Sequence, residues 1–164
     1  MRKQHPIELF MPPNMLKAKV GGTHGGLDTA ALMRAEAAME TLKTEFDDWF
    51  ASDVARLSEC RNAFAAGKNA ATRMDLLRAS HDIKGQAETF EYPLVSQVAA
   101  SLCRLIDALP SPATIPLLLI DAHVTAIRII FRDKIKDTTN PMALELLREL
   151  DARVAETVEP AAAA

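Results

Sequence analysis

Residues 28 to about 159 predict an all-α protein: an antiparallel up-down four-helix bundle with additional N- and C-terminal helices. Three observations carry this. The segment is rich in Ala, Leu, Arg, Glu and Met, residues that lose little on entering a helix. Its apolar positions show no strand-like alternation. Apart from Gly85, its few prolines and glycines fall in short breaks, and short connections make consecutive helices antiparallel neighbours.

The elements follow in order. Residues 1–27 hold Pro6, Pro12, Pro13 and the stretch "VGGTHGG", which favours a flexible arm. "LDTAALMRAEAAMETL" begins with Asp28 as an N-cap and carries Leu32, Ala35 and Met39 at helical spacing. "FDDWFASDVARLSECRNAF" places Phe46, Trp49, Phe50, Leu57 and Phe64 along one broad face, and Gly67 ends it. Asn69 caps the next helix, "NAATRMDLLRASHDIKGQAETFE". Pro93 opens "PLVSQVAASLCRLIDAL", in the first turn where a missing N–H costs little. Pro110, Pro112 and Pro116 separate that helix from "LLLIDAHVTAIRIIFRDKI". A last helix starts at Pro141, after Asn140, and ends before Pro160, leaving residues 160–164 as a disordered tail. The bundle core is expected over about residues 44–136.

Composition narrows the function. A net charge of −3 and scarce aromatics argue against nucleic acid, which needs a basic excess for phosphates and rings for stacking. Cys60 and Cys103 form no CxxC pair and are expected as small core residues in a reducing compartment. The N-terminus lacks an apolar run adequate for a signal peptide, and "IPLLLI" is too short to span a bilayer. The expected location is the cytoplasm. No GxxxxGK[ST] or GxGxxG loop is present, so no ATP site is recognisable.

The informative helix is the one containing "HDIKG". Leu76, Ser80, Ile83, Ala87 and Phe90 make its apolar face, and His81 projects about 140° from Leu76 at 100° per residue. His81 is therefore expected in solvent, with Lys84, Gly85 and Glu88 following at three, four and seven residues and Met74 and Leu77 in the preceding turns. A solvated imidazole keeps a neutral fraction at neutral pH and can attack phosphorus through a ring nitrogen. Lys84 can neutralise a phosphoryl group. Gly85 removes a side chain beside the histidine, which lets another protein approach, and Met74 and Leu77 offer that partner apolar contact.

This pattern resembles the histidine phosphotransfer domain, whose signature is His-x-x-Lys-Gly on the second helix of a four-helix bundle. The stretches "MPPNMLKAKVGG", "GQAETFEYPL" and "SLCRLID" are similar to stand-alone phosphotransfer proteins of alphaproteobacteria. The resemblance implies a monomeric phosphorelay carrier in two-component signalling. His81 would accept phosphate from a receiver-domain aspartate, or from a hybrid histidine kinase, and pass it to another receiver. Lys84 would sit by the phosphoryl group, Gly85 would give access, and Gln86 would be a nearby hydrogen-bond donor. The chain itself would need no cofactor, since Mg²⁺ belongs to the receiver. The sequence departs from the pattern at Glu88 and Glu91, where small residues are usual. Glu88 on the His81 face is expected to disfavour phosphate and to narrow the set of partners.

Two alternatives stay open. One is a helical adaptor that binds receivers without accepting phosphate; the other is the dimerisation and phosphoacceptor module of a sensor kinase. Among the remaining histidines, His123 is expected to be buried and hydrogen-bonded, and His5 and His24 are too isolated to suggest a metal site.

Overall fold

The computed structural model of the chain describes residues 29–162, and among them there is no strand. The expected arm and the Asp28 cap lie outside the described residues. The elements are α1 (Thr29–Ala66), α2 (Ala70–Thr89), α3 (Pro93–Ala108), a 3-10 turn (Pro112–Thr114), α4 (Leu117–Arg132) and α5 (Pro141–Ala162).

Two boundaries differ from the sequence reading. The two helices expected before Gly67 are one continuous helix of 38 residues. No glycine or proline occurs between Thr29 and Ala66, so nothing stops propagation once the helix has begun. The N-terminal helix is thus an extension of α1 and not a separate element. At the other end α5 continues to Ala162, past Pro160. A proline in a last turn removes only one backbone bond, and the alanines that follow it favour continuation.

The chain divides into two units, Met1–Glu40 and Thr41–Ala164. The described part of the first is the start of α1, exposed at every residue, Leu32, Ala35 and Met39 included. In this part of α1 their helical spacing marks no buried face.

The second unit carries the core. Phe50, Leu57 and Phe64 of α1, Leu76 and Ile83 of α2, Leu102 and Leu105 of α3, Ile120 and Ile127 of α4 and Val154 of α5 are all fully buried. Trp49, expected with them, is 56% exposed and meets only the edge of Phe46 among the described aromatic rings. Phe50 is the centre of an aromatic cluster. It stacks on Tyr92 with centroids 5.5 Å apart and takes the edge of Phe131 at 5.1 Å. Phe50 also meets Phe90 at 5.2 Å, so one cluster joins α1, the α2–α3 turn and the end of α4.

The local signals explain the helix ends. Asn69 accepts from the N–H groups of Ala71 and Thr72, and the Thr72 hydroxyl takes the Asn69 N–H, a complete capping box. Pro93 is the first residue of α3. Asn140 accepts from the Ala143 N–H at 3.1 Å and caps α5. α2 ends with Glu91 in the left-handed region (φ 63°), which lets the Tyr92 N–H reach the Ala87 carbonyl at 2.7 Å.

α2 and α3 pack against each other, and α3 and α4 each pack against α5. α2 and α3 run antiparallel: Arg73 near the start of α2 donates to the Asp107 carbonyl at 3.2 Å, and Ser96 near the start of α3 donates to the Lys84 carbonyl at 3.0 Å. α1 and α4 are joined by Lys134 to Asp47 at 3.3 Å and by the forked pair of Arg61 with Asp121. Arg56 meets Asp82 at 3.2 Å and ties α1 to α2.

Glu91 is a residue with a Cβ held where glycine is at ease. Its ion pair with Lys136 at 3.2 Å is exposed and worth little. Glu91→Gly is expected to stabilise the protein by about 1 kcal/mol, read as a higher urea midpoint with an unchanged slope. A lower midpoint would show that the Lys136 contact outweighs the backbone strain.

Candidate functional site

The site follows from which face of α2 is buried. Leu76, Ala79, Ser80, Ile83 and Ala87 are inside, and three of these are small, which lets α3 approach closely. Phe90, assigned to the same stripe from sequence, is the half-buried C-cap residue. With that face committed, His81 has no choice but to point outward. It is exposed, as are Lys84 and Gly85.

His81 opens onto a groove of about 500 Å³ between α2 and α3. Met74, Leu77, His81 and Lys84 line it from α2, together with Arg78 and Asp82. The α3 wall is Ala100, Cys103, Arg104 and Asp107. Met74 is half exposed, and Leu77 is partly buried and packs against the core. The groove therefore has an apolar floor at one end and ionised groups around the histidine.

Most of those charges are already partnered. Arg104 donates to Asp151 of α5 at 2.9 Å, and the Ser101 hydroxyl donates to the same carboxylate oxygen at 2.7 Å. Asp82 is held by Arg56, and Arg78 lies 4.0 Å from Asp75. Lys84 is different: among the described residues it makes no ion pair, Glu88 included. The cation beside His81 is therefore available to an incoming anion.

Gly85 occupies open space. A Cβ built there would meet nothing within 4 Å among the described residues, so they place no steric demand for glycine at this position. Gln86 is half-buried and Glu88 is exposed, and neither lines the groove. The Glu88 carboxylate lies 3.5 Å from the Ser96 hydroxyl, on the α3 side.

Cys103 and Cys60 are free and only half-buried, not core residues. Cys103 belongs to the groove wall. Burial raises its pKa, and the nearby Lys84 charge only partly opposes that. Arg104, Arg78 and Cys103 are groove residues that motif reading misses. Ala100, Cys103, Arg104 and Asp107 do follow i, i+3, i+4, i+7 spacing, which marks them as one face of α3, although not as a face opposite His81.

His123 is fully buried, with Nδ1 2.7 Å from the Leu119 carbonyl and Nε2 without a partner among the described residues. The ring is therefore a core imidazole. Among the described residues, no group of three or more His, Cys, Asp or Glu side chains could hold a metal ion, and no helix is long and apolar enough to cross a membrane. His5 and His24 lie outside the described residues.

Compared with protein-family models, with curated proteins and with solved structures, the chain matches none.

His123 generates a pH prediction. Burial depresses its pKa, and the Leu119 hydrogen bond and Asp151 only partly oppose this. The unfolded chain takes up a proton near pH 6.5 that the folded chain refuses. Stability is thus fully present above that pH and is lost as pH falls towards the folded pKa, by at most about 1.4 kcal/mol per pH unit. His123→Leu should remove this part of the slope when urea unfolding is compared between pH 7 and 5. An equal slope in parent and variant would mean that His123 is protonated equally well in both states.

Proposed function

We propose that the chain is a histidine phosphotransfer protein, a carrier in a two-component phosphorelay, with His81 as its phosphoacceptor. The observation that carries this reading is the pairing of an exposed imidazole with a lysine that makes no ion pair among the described residues, on the wall of an open groove. The open space at Gly85 supports it. A mid-helix glycine costs about 0.5–1 kcal/mol against alanine, and no internal contact explains that cost, whereas close approach of a second protein does.

The segments of α1 from Thr41, α2, α3 and α4 are read here as an antiparallel up-down four-helix bundle, with α5 as an added helix. The hydrogen bonds and ion pairs that join α2 to α3 and α1 to α4 in opposite directions support this. The chain belongs to the phosphotransfer class in this reading, works as a monomer in the cytoplasm, and meets response-regulator receiver domains and a hybrid histidine kinase.

The chemistry is an exchange at phosphorus. A ring nitrogen of neutral His81 attacks the aspartyl phosphate of a receiver, the N–P bond forms, and the acyl O–P bond breaks with its electron pair on the departing carboxylate. The receiver brings Mg²⁺. This chain supplies the nucleophile, the Lys84 charge against the transferring group, and a groove whose apolar end at Met74 and Leu77 docks the partner. Return to a second receiver is the reverse reaction.

Incubation with a labelled phospho-receiver tests the reading. The parent should acquire an acid-labile, alkali-stable label, and His81→Gln should acquire none while keeping its helical circular dichroism. A parent that binds the receiver and stays unlabelled would be an adaptor. Labelling of His81→Gln at the parent's level would place the acceptor elsewhere.

Lys84→Ala should slow transfer by about three- to hundred-fold, the range for one charge at about 6 Å in effective dielectrics of about 80 to 20. Its unfolding should remain cooperative. Loss of cooperative folding would make Lys84 a structural residue.

A further inference from the structure

The α2 turn that carries Lys84 and Gly85 is held from outside by one hydroxyl. Ser96 of α3 is buried, and its Oγ donates to the Lys84 carbonyl at 3.0 Å. The same oxygen lies 3.5 Å from a carboxylate oxygen of Glu88, so one hydroxyl proton has two acceptors within reach. Lys84 and Glu88 are four residues apart on one helix, where opposite charges normally pair. Here they do not: among the described residues Lys84 lines the groove with His81 and Cys103, while Glu88 lies outside it beside Ser96.

We propose that Ser96 is a positioning residue for the His81 site: its hydroxyl keeps the Glu88 carboxylate beside Ser96 and outside the groove, leaving the Lys84 ammonium free for phosphate. The inference rests on the phosphoacceptor reading of His81 and adds a way in which this chain accommodates an acidic residue one turn beyond its lysine. Without the hydroxyl, Glu88 is released to pair with Lys84, and the charge available at His81 falls.

The test uses phosphoramidate as a small phosphoryl donor, so that receiver docking plays no part. A His81 ring nitrogen forms the N–P bond, the P–N bond of the donor breaks, ammonia leaves with the electron pair, and the ring's remaining N–H proton passes to solvent. Phosphohistidine formation is followed by ³¹P NMR on the full chain for the parent, Ser96→Ala, Glu88→Ala and the double variant. Ser96→Ala should be several-fold slower than the parent, whereas the double variant should match Glu88→Ala, because no carboxylate is left to capture Lys84. Ser96→Thr, which keeps the hydroxyl, should recover most of the parent rate. A merely structural serine would slow the reaction equally in both Glu88 backgrounds, and that result overturns the proposal. So does a Ser96→Ala rate equal to the parent's. A parent that forms no phosphohistidine overturns the phosphoacceptor reading itself, a result distinct from either of these.

Discussion

The packing of α2 on α3 decides everything about the site. Leu76, Ala79, Ser80, Ile83 and Ala87 commit one face of α2 to the interior, and α3, packed against it, buries Val95, Val98, Ala99 and Leu102. Because a helix has fixed angular spacing, burying those positions also fixes the direction of every other side chain on α2. His81 is outside because Ser80 and Ile83 are inside. A rotation of the helix that buried the imidazole would expose Ile83 and leave a polar ring without partners, so apolar burial and polar solvation favour the same orientation.

The rest of the second unit keeps that packing in place. The Phe50, Tyr92 and Phe131 rings fasten the α2–α3 turn to α1 and α4. Lys136 lies 4.8 Å from the centroid of the Tyr92 ring and closes the outer side of the cluster. Asp151 of α5 gathers Arg104 and Ser101 of α3, so a groove wall is braced by α5. These contacts draw ionised groups into partnerships away from His81, and among the described cations that line the groove Lys84 makes no ion pair. Selective pairing, more than the number of charges, sets the electrostatics of the groove.

Much of the helical order was legible because breakers and caps act locally. Gly67, Asn69 and Asn140 mark helix ends through bonds made within a few residues, and Pro93 marks the start of α3 because its missing N–H costs little there. The α2 facing was legible for the same reason: Leu76, Ile83 and Ala87, with the small Ser80 between them, are enough to orient one helix. What sequence spacing could not give was the register between helices. It could not show that Cys103 and Arg104 face His81, nor that Glu88 lies beside Ser96, eight residues on and across a turn. The continuity of α1 was not legible from the two apolar stretches taken separately, although no residue from Glu40 to Glu45 is a glycine or a proline. Trp49 was misplaced because a wide apolar stripe on α1 holds more large side chains than its neighbours cover.

Central to this account is a nucleophilic His81 that exchanges phosphate with a receiver aspartate. Mass spectrometry of the intact chain after incubation with a phospho-receiver and Mg²⁺, followed by fragmentation under alkaline conditions, measures it most directly. The account predicts a gain of one phosphoryl group, localised to His81 and discharged when an unphosphorylated second receiver is added. An unmodified chain, or a phosphoryl group on any other residue, would contradict it.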